Sequence, residues 1–120
     1  MKKILNEIRA ERQRQIESEK FSRYHDDNVN LRGELAGAAS SYALSSAFTL
    51  HNKGVPMSRP PNMWPWDPKW FKPKSPREDL IRAAALIVAE LERLDREEKD
   101  VSKLEAGLAK LGKQRADLAQ

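Results

Sequence analysis

Three groups of residues in this sequence have the types and spacings that do chemistry. His25-Asp26-Asp27 sets an imidazole beside two carboxylates. Such a group can fix a ligand ribose or a divalent cation, and its Asx side chains, with Asn28 and Asn30 close behind, can equally cap helices and close turns. Glu11, Arg12 and Gln15 fall close together on a helical pattern and can turn a polar cluster toward an interior, although a solvated face is the simpler reading for Glu11. The third group is Trp64-Pro65-Trp66-Asp67-Pro68-Lys69-Trp70-Phe71-Lys72-Pro73, where all three tryptophans and four of the eight aromatic residues fall in ten positions. Indole rings interleaved with ammonium groups suit an anionic partner that carries a flat ring, such as a nucleotide or single-stranded nucleic acid. Lysines that merely solubilise an apolar loop explain the same composition.

All seven prolines lie in segment 56–76. Proline fixes φ and removes a donor, so this segment is neither a helix interior nor a central strand. Its indoles also set it apart from a flexible Gly/Ser linker. It is expected to be an ordered loop whose rings pack on the protein itself, a second subunit or a ligand. Between Lys53 and Arg77 six bases (Lys53, Arg59, Lys69, Lys72, Lys74, Arg77) face one acid (Asp67), so this loop exceeds the net charge of +4 of the whole chain.

Helical patterns flank the loop. Residues 3–20 place Ile4, Ile8, Arg12 and Ile16 on one face, with Leu5 beside them, so Arg12 lies on the stripe to be buried and needs a partner. A second helix over 31–51 is rich in small residues (Gly33, Ala36, Gly37, Ala38, Ala39, Ser40, Ser41), which predicts close approach of another helix, with Leu35, Tyr42 and Phe48 as larger knobs. Glu34 near its start suits the helix dipole or, alternatively, serves as a ligand carboxylate facing His25-Asp26-Asp27. Ser75-Pro76-Arg77-Glu78 has the chemistry of a capping box with proline at the first helical position. The helix it opens, over 79–91, is the most apolar and is predicted to be the central core helix, with Asp79 and Glu90 as its notable carboxylates. From Leu94 a heptad runs through Val101 and Leu108 at a and Leu104, Leu111 and Leu118 at d, with Glu97 at d and Arg115 at a.

The expected architecture is all-α: a three-helix domain over 1–95 with the Pro/Trp loop at 53–76, then a helical heptad tail over 96–120 that associates with another subunit. At 120 residues the chain is one domain with one modest core. No apolar run approaches the roughly 20 residues that span a bilayer, and Met1-Lys2-Lys3 leads into a charged helix, which points to a cytoplasmic protein without membrane contact. Zero cysteines exclude disulfides, cysteine nucleophiles and thiolate metal sites, and the two histidines form no helical pair of the kind zinc sites use.

In combination, Glu11-Arg12-x-x-Gln15, His25-Asp26-Asp27, Gly33-Glu34-Leu35-Ala36-x-Ala38-Ala39-x-x-Tyr42-Ala43, Trp64-Pro65-Trp66-Asp67-x-x-Trp70-x-Lys72-Pro73 and the 79–94 helix are ordered as in a family of small proteins encoded by tailed bacteriophages and prophages of proteobacteria. The chain resembles that family over 10–95, with Phe71 where the pattern has a further tryptophan; the heptad tail lies outside it. The resemblance implies a phage accessory protein acting in the host cytoplasm and supplies no reaction.

Three functional classes follow. The first is a non-catalytic sponge for a bacterial immune signalling nucleotide. Trp64, Trp66 or Trp70 would stack on the base, Arg12, Lys72, Lys74 and Arg77 would face phosphates, and His25, Asp26 and Asp27 would hold the ribose, with Gln15, Glu34 and Asp67 completing the site. The second is an all-α, magnesium-dependent nucleoside triphosphate pyrophosphohydrolase similar to the MazG class, with Glu11, Asp26, Glu34 and Asp79 as oxygen ligands. The paired E-x-x-E and E-x-x-D spacings of that class are missing. The third is a protein–protein interaction module in which the Trp loop only seals a helical core. Duplex DNA ranks below these, because no helix concentrates its bases on one face.

Overall fold

The computed structural model describes residues 1–18, 26–27 and 29–118, and among them the architecture is all-α with no strand. Helix α1 (Lys2–Ser18) and helix α2 (Glu34–His51) both pack on helix α3 (Pro76–Leu118). The Pro/Trp loop joins α2 to α3 and contains a single turn of 3-10 helix, Pro68–Trp70. No helix among the described residues is long and apolar enough to cross a membrane.

Local chemistry sets the boundaries. Helix α2 starts at Glu34 and not at Leu31, because Gly33 sits at its N-cap with φ of 84°, a left-handed conformation that glycine adopts without a Cβ penalty. Helix α3 starts as its capping box predicts: the Glu78 N–H donates to Ser75 Oγ at 3.2 Å, and Ser75 Oγ donates to Glu78 Oε1 at 3.1 Å. It then runs without a break through the heptad segment, so core helix and tail are one 43-residue element. At 1.5 Å per residue it is about 64 Å long, and it dominates the 75 Å long axis of the molecule.

The core is small and is built where α2 crosses α3. Leu35, Ala38, Ala39 and Tyr42 of α2 meet Ala83, Leu86 and Ala89 of α3, and Trp64, Trp66 and Phe71 of the loop close over them. The apolar segment of α3 therefore buries Ala83, Ala85, Leu86 and Ala89, while Leu80, Ile87, Val88 and Leu91 stay exposed. This corrects the expectation of a fully central helix: alanine lets α2 come close, and the larger aliphatic residues face outward. Phe48, expected as a knob, is likewise exposed, as are Ile4 and Leu5 of α1.

The small residues of α2 serve a second partner as well. A Cβ on Gly37 would lie 2.6 Å from the Met63 carbonyl oxygen, so the loop backbone crosses directly over this position. Ser46 Oγ adds a hydrogen bond to the Pro76 carbonyl at 2.8 Å, fixing α2 to the first turn of α3.

Candidate functional site

Two regions collect the residues of interest, and Arg82 stands between them. The first is the aromatic face of the loop. Trp64 is the hub: its ring stands edge-on to Tyr42 (5.5 Å between centroids), Trp66 (5.2 Å) and Phe71 (5.1 Å), and its Nε1 donates to the Asp67 carbonyl at 3.1 Å. Phe71 stacks on Tyr42 at 5.4 Å. Edge-to-face packing of this kind contributes about 0.5–1.5 kcal/mol per pair beyond area burial. Asp67, expected to touch a ligand, caps the 3-10 turn by accepting the Lys69 N–H at 2.9 Å. Trp64 and Trp66 are thus half-buried structural rings.

Trp70 is different. The residue is 58 % exposed, and Lys69 Nζ and Lys72 Nζ stand 5.2 and 5.7 Å from its ring centroid. Cations at this range are drawn to the face of an indole. Below this face, Arg82 locks the loop to α3: Nη1 donates to the Lys72 carbonyl at 2.6 Å while the guanidinium lies 5.1 Å from the Tyr42 ring. Asp79, which is buried, accepts the Lys74 N–H at 2.9 Å. Burial pushes the Asp79 carboxyl above its ordinary range, against the opposing pull of that N–H and of nearby Arg82. Arg77, expected to face a phosphate, forms a two-pronged pair with Glu7 of α1 at 2.8 and 2.7 Å, and that bond draws the Glu7 pKa below its ordinary value.

The second region is the polar interior between α1, residues Asp26, Asp27 and Asn30, and α3. Arg12 is buried, as the helical spacing predicts, and it reaches Asp26 Oδ2 at 3.4 Å and Glu92 Oε1 at 3.2 Å. Asp26 has no exposure and also accepts from Asn30 Nδ2 at 3.4 Å. Asp27 pairs with Arg96 Nε at 3.0 and 2.9 Å. Gln15 is buried with Nε2 donating to the Arg82 carbonyl at 3.4 Å and Oε1 without a hydrogen-bond partner among the described residues. Arg93 bridges Glu90 and Glu97 along α3. His25 lies outside the described residues.

The candidate residues therefore separate. Arg82 and Arg96 are fourteen positions apart on one straight helix, about 21 Å along its axis, so the ring platform and the Asp27 pair belong to different ends of the domain. The four carboxylates considered for magnesium are also dispersed. Glu11 is held by Arg14, Asp26 by Arg12, and Asp79 by the Lys74 N–H, while Glu34 accepts the Arg32 N–H at 2.7 Å. No group of three or more acidic, histidine or cysteine side chains is placed to hold a metal among the described residues.

Sequence reasoning missed Arg82 and Arg93. The signal was present: Arg82, Leu86, Ala89 and Arg93 recur at helical spacing on one stripe of α3, so arginines on the alanine face were bound to be enclosed. Compared with protein families, curated proteins and solved structures, the chain matches none.

Proposed function

We propose that this protein is a non-catalytic binding protein that captures a small anionic, ring-bearing ligand of nucleotide type. Together with the resemblance to small tailed-phage proteins, this makes it a phage accessory protein that sequesters a bacterial immune signalling nucleotide. The observation that carries the reading is the exposed Trp70 ring flanked by Lys69 and Lys72, on a loop anchored beneath by Trp64, Phe71 and Arg82. A ring presented on a fixed loop stacks a base without first being ordered, and stacking of this kind contributes about 1–3 kcal/mol per base. The two ammonium groups supply charge where phosphates of a stacked nucleotide would lie.

The pyrophosphohydrolase alternative gains nothing from the arrangement of Glu11, Asp26, Glu34 and Asp79, each held by a different partner. The test is tryptophan fluorescence of the parent chain and of Trp70→Ala against a panel of linear and cyclic nucleotides. Any bound nucleotide is then recovered and its mass determined. Quenching by a nucleotide that is lost in Trp70→Ala, with the ligand recovered intact, is the expected result. Magnesium-dependent release of pyrophosphate, or no response to any nucleotide at millimolar concentration, overturns the reading.

A further inference from the structure

Among the described residues, nothing covers the apolar stripe on α3. Leu94 (45 % exposed), Val101 (48 %), Leu104 (64 %), Leu108 (59 %) and Leu111 (57 %) repeat along a helix whose residues from 97 onward are all exposed where described. A solitary helix of some twenty residues is marginal in water, because most helical stability in proteins comes from packing an amphipathic face. Covering Leu94, Val101, Leu104, Leu108, Leu111 and Leu118 on two copies, at about 100 Å² per side chain, removes on the order of 1,200 Å², the lower edge of a specific interface.

Charge selects both the occupant and its direction. The stripe contains one acidic core position, Glu97, and one basic one, Arg115. In a parallel pair Glu97 faces Glu97 and Arg115 faces Arg115, two like-charged layers. In an antiparallel pair with its two-fold axis at Ala106, a positions face d positions throughout: Leu94 meets Leu118, Glu97 meets Arg115, Val101 meets Leu111, and Leu104 meets Leu108. Every apolar position finds an apolar one, and Arg115 balances the net negative charge of the Glu90–Arg93–Glu97 cluster. One like-charged approach is left, Glu105 to its own mate at the solvated edge, where salt screens it.

A cleft of about 410 Å³ lies on this same face, lined by Asp27, Leu31, Arg93, Glu97, Asp100, Val101 and Leu104. Its carboxylates sit where the antiparallel register delivers the other copy's 108–118 segment, which carries Lys110, Lys113 and Arg115 against a single acid, Asp117. We infer that the α3 extension pairs two copies of this chain as an antiparallel coiled coil in which Arg115 of each enters the other's Glu97 cleft. This pairing is independent of what the Trp loop binds.

Light scattering on the eluting full chain at tens of micromolar should give the dimer mass. Arg115→Glu should weaken the dimer at least tenfold in Kd, and adding Glu97→Arg to it should restore pairing, since only the antiparallel register exchanges the two charges across the interface. The chain has no cysteine, so Val101→Cys and Leu111→Cys report direction: the mixed pair should oxidise to a heterodimer while neither links to itself. A monomeric parent chain, a higher oligomer, or a Val101→Cys chain that cross-links to its own copy overturns the inference.

Discussion

Replacing Gly37 with alanine sets helix propensity directly against a tertiary contact. In an exposed helix interior the change stabilises by about 1 kcal/mol, because alanine loses less backbone entropy than glycine. At this position the new Cβ would lie 2.6 Å from the Met63 carbonyl oxygen, and 4.0 Å from Pro65 Cδ. Reaching an ordinary contact of 3.4 Å requires a shift of roughly 0.8 Å. What must move is backbone, and the next residue is Trp64, whose ring contacts Tyr42, Trp66 and Phe71. Overpacking of this sort costs typically about 1–3 kcal/mol, so after the helix-propensity gain of about 1 kcal/mol the net effect is a loss of up to about 2 kcal/mol, or up to roughly 10 °C in Tm. Urea unfolding followed by far-UV circular dichroism measures the loss, and near-UV dichroism reports the indole cluster. Gly112→Ala is the matched control: nothing lies within 4 Å of a Cβ there, so alanine should raise stability or helix content. A Gly37→Ala chain as stable as the parent, with its near-UV signal intact, would refute the close approach of loop and helix.

The two classes of tryptophan should separate on mutation: Trp64→Ala should cost about 3 kcal/mol by opening the core, whereas Trp70→Ala should stay within about 0.5 kcal/mol of the parent by chemical denaturation. Arg12→Met leaves Asp26 buried without its guanidinium and should cost about 3–5 kcal/mol in the same assay, with part regained when Asp26→Asn is added. Asp79→Asn keeps an acceptor for the Lys74 N–H and removes a buried charge. Because burial raises the Asp79 pKa in the folded state, its contribution is favourable below the unfolded pKa and is lost as pH rises through the folded one. The variant should therefore melt higher than the parent at neutral pH, and that advantage should vanish once the carboxylate is protonated near pH 3; an advantage that grows on acidification contradicts the assignment.

Much of the fold was legible in local chemistry. The capping box at Ser75 and Glu78, the prolines of the loop and the burial of Arg12 expected from its helical spacing each rest on one or two turns and appear in the structure as read, although Ile4 at the head of that stripe is exposed. The site was less legible because its residues are recruited by neighbours distant in sequence. Asp67 became a cap, Arg77 was taken by Glu7, and Asp26 was enclosed by Arg12. Each of these polar groups has several possible partners, and a linear pattern does not rank them.

By itself, then, the sequence determined three helices, an ordered aromatic loop between the second and third, and a helical heptad tail, because propensity, proline geometry and hydrophobic period are local properties; that the third helix and the tail are one unbroken element came from the structure. Only the tertiary structure decided which stripe of α3 faces inward. Two stripes overlap on that helix, one of alanines and one of leucines, and periodicity fits both. Helix α2 and the Met63 backbone come close only where side chains are small, so the alanine stripe was buried, the leucine stripe was left to solvent, and Trp70 was turned outward while Trp64 was turned in.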